Sequence, residues 1–494
     1  VKVRRLLPVA LLGVSLALTP AAATAAPPTD TDHGAAVEVA PSGGDDTSLL
    51  QQRIDEAAAR GIGVRLRPGA RYITSKELVL PPGLKAFDGE GALVEAHVGV
   101  PKGSDAANVF RFKAQSKGII LTEVRIDLKG SAARTRAVLA PWVSDTTISH
   151  LTITNLKFRG IDVVADDGPV DKVSIHDNVV HGAAGWDETE GVVGIAVTSH
   201  PEPDPFTGYP APAYMRFRET GTVLPPRNKT SRITIVDNKV DTTYYGISLS
   251  GATDCLIARN VTTTNVRNLS IQDGSSRNRV RSNDFHDSTS AAIHVAYGSS
   301  DNLVEHNRIR TGRGKGGEAL LQAYHNSTGN VFKKNRVEAH GSRVPRWFLY
   351  VATGSHNTVF HDNTLIGKAS HAVAAAESIW DQRSATSAGL NPNPYSYSGR
   401  PTIHQGTGKE VLFAGGHGDL RGITFTENTF ATEGQPFYLG AEVTYGPADK
   451  APAVGNIVDI HISGNKLRSP GPTPIIEHRG QLDGVGQASI SHRR

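Results

Sequence analysis

Between residues 233 and 378 one short pattern recurs, and few folds can accommodate it. The segments ITIVDNKV (233–240), LIARNV (256–261), RVRSNDF (279–285), LVEHNRI (303–309), VFKKNRV (331–337) and TVFHDNTL (358–365) each alternate apolar residues around an Asn. Those residues are Asn238, Asn260, Asn283, Asn307, Asn335 and Asn363, in steps of 22, 23, 24, 28 and 28. After each comes a second alternating stretch: YGISLSG (245–251), RNLSIQDG (267–274), AAIHVAYG (291–298), ALLQAYHN (319–326), WFLYVATG (347–354) and HAVAAAES (371–378). Its inward residues, Ile247, Leu269, Ile293, Leu321, Leu349 and Val373, keep nearly the same steps. Two or more short strands per period of this length mean a solenoid of β-coils. A single coil cannot bury its apolar face, so coils stack and each strand pairs in parallel with its copy on the next. The Asn column then reads as an internal ladder at a coil corner, each amide bonding to the next and to the turn backbone, rather than as a binding stripe.

The start of the chain carries export features. Lys2, Arg4 and Arg5 precede an apolar run from Leu6 to Leu18, and small residues 22–25 precede Pro27. This predicts a signal peptide over 1–26, since the run is too short to span a bilayer. A flexible leader is expected over 27–44, and a single β-helix domain over 45–480 with a tail to Arg494. Removing the three basic residues of the signal leaves 49 basic against 48 acidic. That balance gives no global case for nucleic-acid or membrane partners. Cys255 stands alone in an apolar run, so no disulfide framework or thiolate metal site is expected. A monomer is expected.

Residues 45–73 begin with a helix capped by Asp46, Thr47 or Ser48, with an apolar stripe of Leu50, Ile54, Ala57 and Ala58, ended by Gly61. A strand and a Pro-Gly turn follow. Asp46, Thr47, Leu50, Gln51, Ile54, Pro68, Gly69 and Tyr72 resemble the start of the pectate-lyase-like superfamily. The resemblance implies an all-β, right-handed parallel β-helix with an N-terminal capping helix that covers the open end of the stack. It is specific for fold and weak for activity, because the superfamily includes lyases, hydrolases, esterases, epimerases and phage spikes.

Two steps in the Asn column are long: Asn178 to Asn238 is 60 residues and Asn363 to Asn428 is 65. The surplus lies at 200–229 and 378–420, both leaving the coil after aligned strands. Two such loops six coils apart would wall a cleft about 29 Å long, at ~4.8 Å per coil. Alternation puts Ser248 and Ser250, Ser270 and Gln272, His294 and Ala296, Gln322 and Tyr324, and Tyr350 and Ala352 on its floor. Arg267, Arg310, Arg313, Lys315, Arg343, Arg346 and Lys368 line the turns entering these strands, a cationic strip suited to a polyanion. Trp347, Tyr324 and Tyr350 offer apolar faces to sugar rings.

These residues point to a secreted enzyme cleaving a uronate polymer by β-elimination. Gln322, Arg343 or Arg346 would neutralise the substrate carboxylate. His294, Tyr350 or Lys315 would take the C5 proton, and Tyr324 or His325 would protonate the leaving oxygen. Arg267, Arg313, Gln272 and Trp347 complete the binding set. C5-epimerisation begins with the same proton abstraction and would use the same residues. Several β-helix lyase families of the superfamily use Ca²⁺, but no carboxylate cluster on this floor calls for it, so no cofactor is expected. A glycoside hydrolase or transferase would need a carboxylate pair, from Asp187, Glu188, Glu190, Asp273, Glu318 or Glu377. The neighbouring aspartates typical of the polygalacturonase branch are missing from the floor. A third class is a non-enzymatic glycan-binding β-helix, which would need aromatic contacts but no acid–base column.

Overall fold

In the computed structural model the described residues are 34–184, 191–199, 228–263, 265–311, 319–324, 327–341, 344–352, 354–381, 401–403, 410–412, 420–445 and 457–467. They form the right-handed parallel β-helix that the repeat demands. Each coil has three faces. On one coil these are Leu256–Ala258, Val261–Thr263 and Arg267–Gln272. The next coil repeats them as Arg279–Arg281, Asp284–His286 and Ala291–Val295. Every pairing between these coils is parallel and in register: Ile257 faces Val280, Thr262 faces Phe285 and Leu269 faces Ile293. Stacked apolar columns result, and Ile247, Leu269, Ile293, Leu321 and Leu349 are all fully buried. Phe332, Phe360 and Phe425 stack with centroids 4.9 and 5.2 Å apart. Offset ring stacking adds about 1 kcal/mol per pair beyond area burial. Cys255 is buried as expected, and burial pushes its thiol pKa up to about 12.

The corner between the first and second faces is the Asn ladder. It runs from Asn178 through Asn238, Asn260, Asn283, Asn307, Asn335 and Asn363 to Asn428 and Asn465. The residue before each Asn takes a left-handed conformation, as at Asp237 (φ 59°), Arg259 (φ 56°) and His306 (φ 55°). That reversal turns the carboxamide inward. Asn307 shows the accounting: Oδ1 accepts from the backbone N and Nδ2 of Asn283, at 3.0 and 2.9 Å. Its Nδ2 donates to Asn335 Oδ1 (3.0 Å) and Val280 O (3.1 Å). A second, shorter ladder links Asn278, Asn302 and Asn330, each Nδ2 donating to the next Oδ1 at 2.9 Å.

The helix Thr47–Arg60 buries Leu50, Ile54 and Ala57 against the first coil and ends at Gly61 (φ 65°). Gln51 behaves as a piece of a missing coil. Its Oε1 accepts from Val79 N (2.8 Å) and its Nε2 donates to Val79 O (3.1 Å), closing an otherwise open strand edge. Tyr72 is also satisfied, donating to Val39 O at 2.6 Å.

Three expectations change. Residues 36–39 are not a leader: Ala36–Val39 pairs in parallel with Gly63–Leu66, because Val37 and Val39 alternate inward and extend the sheet by a strand. The Asp46 side chain does not cap the helix but accepts from Ser42 N and Ile73 N, while Asp45 Oδ1 accepts from Thr47 N at 3.0 Å. Opposite Leu349 stands Ala374 rather than Val373. On this coil the strand Thr364–Asp381 runs unbroken around the corner, and its pairing with the following coil shifts register between Lys368 and Ala372. The signal segment, most of the loop 200–229, and residues 382–400, 404–409 and 413–419 of the second loop lie outside the described residues.

Replacing Asn307 by Ala removes the carboxamide and leaves the amide of Asn283 and the carbonyl of Val280 without it. The variant should lose about 3 kcal/mol of stability, read as a lower urea midpoint at unchanged m-value. A loss within about 0.5 kcal/mol would mean that the ladder does not carry stability.

Candidate functional site

The third face presents one outward column across the middle of the stack. Register places Ser248, Ser270, His294, Gln322, Tyr350, Ala375 and Tyr438 side by side on consecutive coils. These side chains point away from the coil core yet are covered: His294 is 2% exposed, Gln322 7% and Tyr350 3%. The open floor expected from alternation is therefore a buried polar and aromatic layer. One pleat further on, Tyr324 is half-buried, and its N–H donates to Val295 O at 2.8 Å.

His294 is the chemically distinctive member. Its Nδ1 lies 2.7 Å from Gln322 Oε1. A carbonyl oxygen only accepts, so Nδ1 carries the proton and Nε2 keeps its lone pair. Nε2 is buried and has no hydrogen-bond partner among the described residues. Burial first, then the positive charge of Arg267, hold the imidazole pKa well below its usual value, so the ring is neutral. Arg267 itself is anchored by Tyr245, donating from Nη1 to its hydroxyl at 3.3 Å.

Around His294 runs a chain of rings. Its centroid is 6.4 Å from that of Tyr324, which stacks on Tyr350 at 6.1 Å. Tyr350 stacks on Trp347 at 4.3 Å, and the Arg346 guanidinium sits 4.2 Å from the Trp347 centroid. Trp347 is buried, with Tyr350 stacked on its ring and the Arg346 guanidinium over it. Tyr324 is the ring with accessible surface. His371 and Tyr438, absent from the sequence reading, extend the cluster, with centroids 4.7 Å apart. Tyr438 lies 10 residues after its ladder Asn, whereas Tyr350 lies 15 after Asn335, so no fixed offset flags it.

The structure thus gathers His294, Gln322, Tyr324, Tyr350, Trp347, Arg346 and Arg267. Gln272 lies two coils back in the Tyr324 column, where Ser270 Oγ bonds to its Oε1 at 3.3 Å. Arg313, Lys315, His325 and Arg343 lie outside the described residues, as do Asp187, Glu188, Glu190 and Glu318. Asp273 is buried and accepts from Ser250 Oγ at 2.6 Å. Arg310 leaves the cationic strip: it pairs with Asp284 at 2.5 Å and contacts His286 Nε2 at 2.8 Å on the second face.

The family described as Periplasmic copper-binding protein (NosD) matches residues 219–399, under half of the chain. No curated protein matches. Among solved structures, a DFA-IIIase from Arthrobacter chlorophenolicus A6 is 11% identical with a TM-score of 0.48, over 83% of this chain and 94% of that one. A surface adhesin of Streptococcus pneumoniae is 12% identical with a TM-score of 0.47, over 86% and 88%. The A-module of a mannuronan C-5 epimerase of Azotobacter vinelandii is 14% identical with a TM-score of 0.43, over 88% and 96%. Likenesses of this size describe those proteins and assign no activity to this chain.

The depressed imidazole pKa has a consequence for stability. Below about pH 6.5 the unfolded chain protonates this imidazole and the folded chain does not. The contribution of His294 is therefore fully present above that pH and is lost as pH falls, at up to about 1.4 kcal/mol per pH unit until the folded pKa is reached. Urea midpoints taken from about pH 8 down to pH 5 should fall more steeply for the native chain than for His294→Gln. Parallel curves would show that His294 titrates normally.

Proposed function

We propose that this chain is an exported enzyme acting on an anionic, uronate-containing polysaccharide by β-elimination. The observation that carries the reading is His294: a neutral imidazole, its tautomer set by Gln322, with an Nε2 that has no hydrogen-bond partner among the described residues, a neighbouring Tyr324 ring and a fixed guanidinium at Arg267. Abstraction of a proton α to a carboxylate needs a base that is unprotonated at working pH, and burial supplies that condition.

In this reading the C5 proton passes to His294 Nε2 and the C4–C5 double bond forms as the C4–O bond breaks. The leaving oxygen takes the Tyr324 hydroxyl proton. Imidazolium and phenolate are left as an opposed pair, which offsets the cost of charging a buried imidazole. The proton then returns from His294 to Tyr324. Arg267 or Gln322 would neutralise the carboxylate so that charge develops at lower cost. The low exposure of His294 requires the sugar ring to enter the layer between Tyr324 and the coil. Export rests on the basic and apolar residues of the first 26 positions.

The test is a screen against alginate, polygalacturonate, glucuronan, hyaluronan and chondroitin, following unsaturated-uronate absorbance and reducing ends together. Both should rise on one polymer, and Tyr324→Phe should lower kcat by about a hundredfold or more with its melting temperature unchanged. Reducing ends without absorbance would replace elimination by hydrolysis. Neither signal on any polymer would remove the uronate reading.

A further inference from the structure

A second cluster lies at a different corner of the stack, on the solvent side of the Asn ladder. His176 ends a first-face strand, Asp177 is the turn residue after it, and His150 is the turn residue one coil earlier. One ligand-type atom from each lies within 4.8 Å of the other two, the sole group of this kind among the described residues. The two imidazoles are 5.8 Å apart and nearly perpendicular, at 87°. His176 Nδ1 and Asp177 Oδ2 are 2.9 Å apart, sharing a proton. Two cis ligands at about 2.0–2.2 Å from one metal stand about 3 Å apart, so an ion can take that proton's place with little movement. His176 is 5% exposed, while His150 and Asp177 are open to solvent.

The coil itself does not call for these residues. The turn position of His150 varies along the stack, being Glu123, Asp237, Arg259, Ser282, His306 and Lys334 on other coils. The strand-end position of His176 is Ser149 on the coil before and Val236 on the coil after. The chain also contains an internal control. His361, Asp362 and Asn363 repeat the sequence of His176, Asp177 and Asn178, but the preceding turn there holds Lys334 where His150 stands. There His361 Nδ1 bonds to Thr426 Oγ1 at 3.1 Å, and no three-ligand group forms. Two imidazoles and a carboxylate converge where consecutive coils supply all three, and a lysine ammonium stands at the copy that lacks the second imidazole.

We propose that His150, His176 and Asp177 bind one divalent transition-metal ion of the borderline class, such as Zn²⁺ or Cu²⁺, with solvent completing the coordination. Imidazole nitrogen with a carboxylate suits these ions, whereas Ca²⁺ and Mg²⁺ prefer all-oxygen sites. The ion clamps two neighbouring coils across the ladder and stands apart from the third-face layer around His294.

Full-length protein stripped with EDTA is titrated calorimetrically with zinc chloride, then with copper(II) and calcium. The chain has 19 histidines, so variants decide the site. His150→Asn suits the test because His150 is exposed and Asn tolerates its left-handed backbone (φ 51°). One equivalent of Zn²⁺ or Cu²⁺ should bind the native chain. The dissociation constant should rise at least about tenfold in His150→Asn and in Asp177→Asn, and stay unchanged in His361→Asn. Equal weakening in His361→Asn, native affinity in His150→Asn, Ca²⁺ competing at equal concentration, or no saturation at one equivalent would each overturn the proposal.

Discussion

Everything in this molecule depends on parallel pairing between consecutive coils. A parallel strand satisfies its backbone only through the strand above and the strand below. Each coil is therefore a template for the next, and side chains at equal register fall into columns. The Asn ladder is that rule applied to a side chain: its amides and carbonyls find partners on the neighbouring coils, as Asn307 does with Asn283 and Asn335. The ladder bonds the backbone groups that turn inward at the corner, so each coil inherits the register of its neighbour. At the N-terminal end, where no coil precedes, Gln51 supplies the same donor and acceptor from a helix.

Columns also explain how a solenoid builds chemistry. A side chain on one coil meets the side chain at the same register on the next, whatever the loop length between them. His294 meets Gln322 across 28 residues and His150 lies beside His176 across 26, each through adjacency of coils. The two clusters differ in setting. The third-face column is covered, so His294 is neutral and Trp347 is stacked on Tyr350. The turn column is open to solvent at His150 and Asp177, where an ion can arrive without rearrangement of the core.

Most of the fold was legible because period and alternation are properties of the chain alone. The Asn steps gave the coil length, the apolar alternation gave the inward columns, and Gln51 and Tyr72 marked the capped end. The second ladder went unread, although Asn278, Asn302 and Asn330 each stand five residues before a ladder Asn, in matching steps. Val373 was misplaced because the register shift at the corner before it leaves no mark in the pattern. Ala36–Val39 was missed because four residues without a repeat partner look like any leader.

The candidate site was half legible. The sequence by itself determined that His294, Gln322 and Tyr350 share a column, since register follows from the repeat. It also determined that Asn is internal and that the coils stack in parallel. Only the tertiary structure decided that the outward column is buried, that Trp347 stacks on Tyr350, that Arg310 is held by Asp284, and that Tyr438 joins the cluster. The physical reason is that alternation states which side of a strand a residue occupies. Whether that side meets water, another ring or an opposite charge depends on packing between segments far apart in the chain.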